Sequence, residues 1–371
     1  MQLDTMRPCS GRPPVTLFRA NVGAPDLRNL NILRSNARGL ALLVVLAMML
    51  GAAGGRHLIK KIPVPGDYGW DYLTADTEGR RLYVSHDREV VVIDLDSATI
   101  VGEIPGSDVH GIAVVRDLGR GFISATDPGS VMIFDLKTLA VIDKVPVGED
   151  PNAIFYDRKT KRVFTIDRGS KSVSAIDPKT GRVVGTVEGL GGRTEHAVSD
   201  DAGHVFLNMQ SLGTLLRIDA QALKVTDTWR LAPCEQPSSM DIDRAHQRIF
   251  IGCRSGVMTV VDGTTGRIVT TQPIGRGVDA AEFDSARALV YFSTGGDGAM
   301  WVFHQDSPDK YTLVETVKTQ AGARTMAIDR KTGRAFLSVG EFGPPQAPSP
   351  GGKQLRGAMV PGSFSVLVFG E

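Results

Sequence analysis

One pattern in this chain recurs at a nearly fixed interval. An apolar segment ending in an acid appears as VVVID to Asp94, MIFD to Asp135, SAID to Asp177, LRID to Asp219 and TVVD to Asp262, at spacings of 41, 42, 42 and 43 residues. WVFH, ending at His304, stands 42 residues further on. An aromatic-bearing segment precedes each copy: RLYVS, RGFIS, RVFTI, HVFLN, RIFIG and LVYFS. Another apolar segment lies before that, as in HGIAVV, NAIFY, SMDID and DAAEF. A fourth follows the acid after a turn, as in IVGEI, VIDKV, VVGTV and IVTTQ. Short β-branched and aromatic runs bounded by Gly, Asp and Pro read as strands.

Each unit is therefore four strands without a helix. Such a unit leaves both sheet faces bare and must stack on its neighbours. Six complete units and a remainder predict an all-β fold, a seven-bladed β-propeller of four-stranded antiparallel blades. The remainder has RTMAID, RAFLSV and SFSVLVFG but no fourth strand. HLIKKIPV (57–64) resembles an outer strand, and the expectation is that this N-terminal strand completes the last blade and closes the ring. Asp94, Asp135, Asp177, Asp219 and Asp262 are read as structural, each bonding backbone N–H groups of the turn that follows.

Residues 1–53 read differently. They carry six arginines and two aspartates, then GLALLVVLAMMLGAAGG, with an apolar core over 39–50. This reads as a leader with a secretory signal peptide cut near Ala53; the alternative is a membrane anchor. Removing 1–53 takes the formal net charge from +1 to −3, which predicts no broad attraction to nucleic acid. The expected mature protein is a periplasmic or secreted monomer with no transmembrane anchor, a single domain over 57–371. Cys9 lies in the leader. Cys234 and Cys253 flank two strands of the fifth unit, and in an oxidising compartment they are expected to form a disulfide; the alternative is two free thiols. A Pro/Gly-rich insert, 341–363, interrupts the last blade and is expected to project on the channel-mouth face.

The combination LYVS…VVVIDLDSATIVGEI with VFTI…SVSAIDPKTGRVVGTV resembles the YVTN/YncE-like propeller repeat family over 57–371. Tyr83-Val84-Ser85-His86 is the nearest copy of its Tyr-Val-Thr-Asn tetrapeptide. The resemblance implies a propeller and leaves the chemistry open.

In a propeller, loops entering first strands and leaving second strands meet at the channel mouth, so sites are sought there. The candidates are Asp71, His86, His110, Asn152, Asp167, Glu195, His196, Asp279 and Arg324. His110, Glu195, His196 and Asp279 are the candidate ligands of a divalent metal, the one cofactor considered. No haem-attachment motif, phosphate loop or nucleophile elbow is present. The expected function is an exported binding or interaction module that holds a small ligand, a metal or a partner protein at the mouth. The alternative is a metal-dependent, lactonase-like hydrolase using the same face.

Overall fold

The computed structural model describes residues 55–344 and 357–371. Gly55–Glu371 forms one compact unit. The segment expected to be a leader with a signal peptide, including Cys9, and residues 345–356 of the insert lie outside the described residues.

The repeat folds as the pattern demands. Residues 151–187, for instance, form strands Pro151–Asp157, Arg162–Asp167, Ser172–Asp177 and Arg182–Val187, paired antiparallel in sequence order. The innermost strands of successive units neighbour one another in a closed circle. The outermost strand of the last sheet is His57–Pro63, paired with Ser365–Gly370. The first and last described strands thus share one ladder, and Ser365–Gly370 is paired on both sides.

The expected seven blades are corrected to six. Hydrogen bonding divides the ring into five four-stranded sheets and one six-stranded sheet over residues 73–146. The cause lies in two long strands, Arg81–Asp94 and Thr99–Val115. Each runs through two of the segments read separately in the sequence. They stay continuous because Asp87 pairs with Val109 and ties the first two units together. Asp87 and Asp108 both adopt positive φ, 54° and 49°, which bends the backbone there without breaking the ladder. Aspartate tolerates this conformation better than most side chains.

The recurrent acid caps its turn. Asp94 Oδ1 accepts from the backbone N–H groups of Asp96 (3.1 Å) and Ser97 (2.7 Å). Asp135, Asp177, Asp219 and Asp262 repeat this with the residues two and three positions on. The turn closes on a left-handed residue, which is Gly181 or Gly266 in two units but Ala98, Leu139 and Leu223 in three others.

The core lies between blades. Tyr83, Phe122, Phe164, Phe206, Phe250, Tyr291 and Phe336 hold the same position in their second strands, and none is accessible. Each belongs to a cluster with residues of the next unit: Phe164 with Leu207, Phe206 with Ile249, Tyr291 with Leu337, and Phe336 with Leu82 across the closure. Burying one such ring contributes about 2–3 kcal/mol.

Candidate functional site at the channel mouth

Strand register aligns the units residue by residue. Leu73, Ile112, Ile154, Ala197, Met240, Ala281 and Met326 each pair with the equivalent residue of their second strand. Two residues upstream of these lie Asp71, His110, Asn152, Glu195, Ser238, Asp279 and Arg324. Six of the nine candidate residues therefore share one tier around the mouth. The position between holds Gly111, Ala153, Ser239, Ala280 and Thr325 in five units, but Tyr72 and His196 in two. At Gly111 a Cβ would come within 2.7 Å of the Asn152 carbonyl oxygen, so the backbone approach there requires glycine.

The tier is a network of alternating charge. His110 Nδ1 lies 2.7 Å from Asp71 Oδ2 and its Nε2 3.4 Å from Asp108. Burial disfavours the imidazolium, but the Asp71 hydrogen bond and charge outweigh it and raise the His110 pKa. With its amide oriented to satisfy its neighbours, Asn152 donates to Asp71 Oδ2 at 3.2 Å. Its oxygen then accepts from the Tyr72 hydroxyl (3.2 Å) and from Arg168 Nη1 (3.3 Å). Arg168 is held by Asp150 through bonds of 2.9 and 3.1 Å. Across the mouth, Arg324 Nε stands 3.3 Å from Asp279 Oδ2, and Arg193 Nε donates to Glu195 at 3.3 Å.

Arg254 joins the two acids loosely. Its Nη2 is 4.0 Å from Glu195 Oε1 and 3.7 Å from Asp279 Oδ1, beyond hydrogen-bond length for both. Burial pushes Asp279 up to about 6, against the pull of Arg324 and Arg254. Glu195 is also raised by burial, against Arg193, Arg168 and Arg254.

Tyr72 and His196 stand below this tier, ring centroids 5.8 Å apart. Burial, with Asp71 and Glu195 nearby, raises Tyr72 well above the ordinary phenol value, so it stays a neutral donor. Burial lowers His196 to about 4. Its Nδ1 is sealed from solvent and has no hydrogen-bond partner among the described residues.

Two candidates sit elsewhere. His86 is fully buried, stacked on Phe364 at 4.3 Å and near Tyr68 at 5.4 Å. Asp167 is fully buried and accepts from Ser174 Oγ (2.6 Å) and Ser172 Oγ (3.3 Å). Sequence reasoning missed Tyr72 as part of the site. The signal was present, because an aromatic ring occupies a repeat position that is small in five other units.

Among the described residues, no three His, Cys, Asp or Glu side chains are grouped to hold a metal ion. His110 is instead engaged by aspartates on both ring nitrogens, and Arg254 stands between Glu195 and Asp279.

The base of the insert closes the rim on one side. Gly343 N donates to Ala358 O at 2.8 Å and Val360 N to Glu341 O at 2.8 Å. Phe342 stacks on Trp70 at 5.6 Å, and Arg324 lies over the same indole. Cys234 and Cys253 form a disulfide with Cα atoms 5.4 Å apart, which places a covalent tie next to Arg254. Among the described residues no helix is long and apolar enough to cross a membrane.

No protein-family model matches this sequence, and no curated protein sequence matches it. Solved structures do. The chain is similar to Kuenenia stuttgartiensis hydrazine synthase, with 15% identity and a TM-score of 0.63 over 77% of this chain and 96% of that one. It is also similar to the WD40 repeats of RRP9, with 10% identity and a TM-score of 0.70 over 86% of this chain and 98% of that one. At these identities the likeness shows the fold, a β-propeller, and nothing of the chemistry.

Proposed function

We propose that the protein is an exported binding propeller whose channel mouth takes a small polar molecule bearing both hydrogen-bond donors and acceptors. One observation carries this reading. Arg254 reaches two carboxylates, Glu195 and Asp279, yet lies at 4.0 and 3.7 Å from them and completes a hydrogen bond with neither. An acceptor group entering the mouth can take the Arg254 guanidinium, while Asp279 and Glu195 accept from a donor on the same molecule. The disulfide supports an oxidising compartment.

The test is a thermal-shift screen of free amino acids and related zwitterions, with hits measured by calorimetry. A hit should weaken about tenfold or more in Arg254→Ala and in Asp279→Asn, as expected for a charge-assisted hydrogen bond. Absence of any hit, or hits indifferent to both changes, counts against the mouth. Metal analysis of the purified protein addresses the hydrolase alternative. Stoichiometric zinc, calcium or manganese, lost on replacing His196 and Asp279, would favour it.

A further inference from the structure

Beneath Tyr72 and His196 the channel holds a cavity of about 190 Å³. That is room for several waters or one small molecule. Ile154, Met240 and Met326 contribute apolar wall, and the end away from the mouth is lined by Asp241, Glu282, Arg244 and Arg330. Those two acids break the repeat. The position after the aligned Met240 and Ala281 is Asp241 and Glu282, whereas the other units place Thr74, Ala113, Phe155, Val198 and Ala327 there.

The far end has donors to spare. Arg330 Nε donates to Phe283 O at 3.1 Å, and its Nη2 lies 3.2 Å from Asp241 Oδ2 and 3.4 Å from Glu282 Oε2, which leaves Nη1. Asp241 is already occupied, since Oδ2 also accepts from Phe283 N at 2.7 Å and Oδ1 from Ile242 N at 2.8 Å. Glu282 has Arg330 alone. Burial first, then Asp241 beside it, pushes its carboxyl up to about 8 against Arg330. Arg244 pairs with Asp201 through Nε at 3.2 Å, and its Nη groups make no hydrogen bond among the described residues. Apolar walls beside the free Arg244 Nη groups suit a ligand with an anionic head and a hydrocarbon body.

We propose that this chamber is a second binding site, below the mouth, for a small monocarboxylate with a short apolar tail. The carboxylate lies on Arg244 and Arg330. The tail packs on Ile154, Met240 and Met326 beneath Tyr72 and His196. Asp279 of the mouth tier lines the upper end of this chamber, whereas Arg254 does not line it, so Arg254 separates the two sites experimentally.

Titration calorimetry with sodium hexanoate tests it on the intact protein. Saturable one-to-one binding is expected, at least about tenfold tighter than hexan-1-ol, which lacks the head, and than acetate, which lacks the tail. Arg330→Gln and Arg244→Gln should each weaken hexanoate about tenfold. Arg244 is half-exposed, so its variant keeps the test open if loss of Arg330 unfolds the ring. Met326→Phe, which fills the wall, should abolish binding, whereas Arg254→Ala at the mouth should leave it unchanged. The proposal is overturned by no saturable binding at millimolar hexanoate, by equal affinity for the alcohol, or by sensitivity to Arg254→Ala with indifference to Arg244→Gln.

Discussion

Arg80 grips Asp329 through two parallel hydrogen bonds of 2.8 Å, although 249 residues separate them. The pair joins the six-stranded sheet to the closing sheet. Asp329 is wholly inaccessible, so removing its partner strands a buried charge. Arg80→Met should cost about 3 kcal/mol or more in urea unfolding at pH 7. Burial opposes the Asp329 charge, but bonds from Arg80 and Thr332 outweigh it and hold the pKa low. A depressed carboxylate contributes stability above its unfolded value, and loses it as pH falls through the folded one. The contribution should therefore begin to fall as pH drops below about 4 in the wild type, be lost only below the folded pKa, and be absent throughout in Arg80→Met. A cost under 1 kcal/mol would mean the seam is held by other contacts.

The latch makes a second prediction. Strand His57–Pro63 contributes six register pairs to Ser365–Gly370. Deleting residues 56–65 strips that edge and also removes Arg56, which bonds Glu315 at 2.7 and 3.2 Å. At about 1 kcal/mol per net hydrogen bond, the loss is roughly 5 kcal/mol, shared by the whole ring. Calorimetry should show one transition at a lower temperature and greater aggregation from the bared edge. An unchanged transition would show that the pairing is incidental.

Cys234–Cys253 closes a short loop, with a sequence separation of 19. On chain-entropy grounds it stabilises by about 3 kcal/mol. The double serine variant should lose that amount. Alkylation without reductant, followed by peptide mapping, should leave both residues unlabelled; labelling of either refutes the bond in the purified protein.

His86 makes the pH prediction. Its ring lies against Phe364, with Glu89 at 3.5 Å, and neither nitrogen makes a hydrogen bond among the described residues. Burial lowers its pKa to about 4, with Asp67 pulling the other way. Between pH 6.5 and 4 the unfolded chain takes a proton that the folded one refuses, so stability falls as pH falls. His86→Phe removes this penalty and keeps the stack. It should be near neutral at pH 7.5 and more stable than wild type by about 2 kcal/mol at pH 4.5. Parallel stability profiles of the two proteins would show that the histidine is not held neutral.

The strands were legible because each one is a local alternation of apolar and polar residues, and the turn acids because an Asx cap needs only its own next three residues. The number of sheets was not. It depends on whether Asp87 reaches Val109, a backbone pairing no repeat period encodes. At the mouth, Asp71, His110, Glu195 and Asp279 could be picked out as polar residues entering first strands. Their pairing could not be. Only the closed ring sets Arg254 between Glu195 and Asp279, and only alignment by register shows that Tyr72 and His196 occupy the same position in different units.

The shared ladder between Ser365–Gly370 and His57–Pro63 also sets a clock. The first strand has no partner until the last one exists, so during synthesis it must wait, unpaired, for nearly the entire domain to emerge. Intermediate sheets can form as they appear, but the ring cannot. Final closure waits for Ser365–Gly370, and whatever guards that waiting strand guards the yield of folded protein.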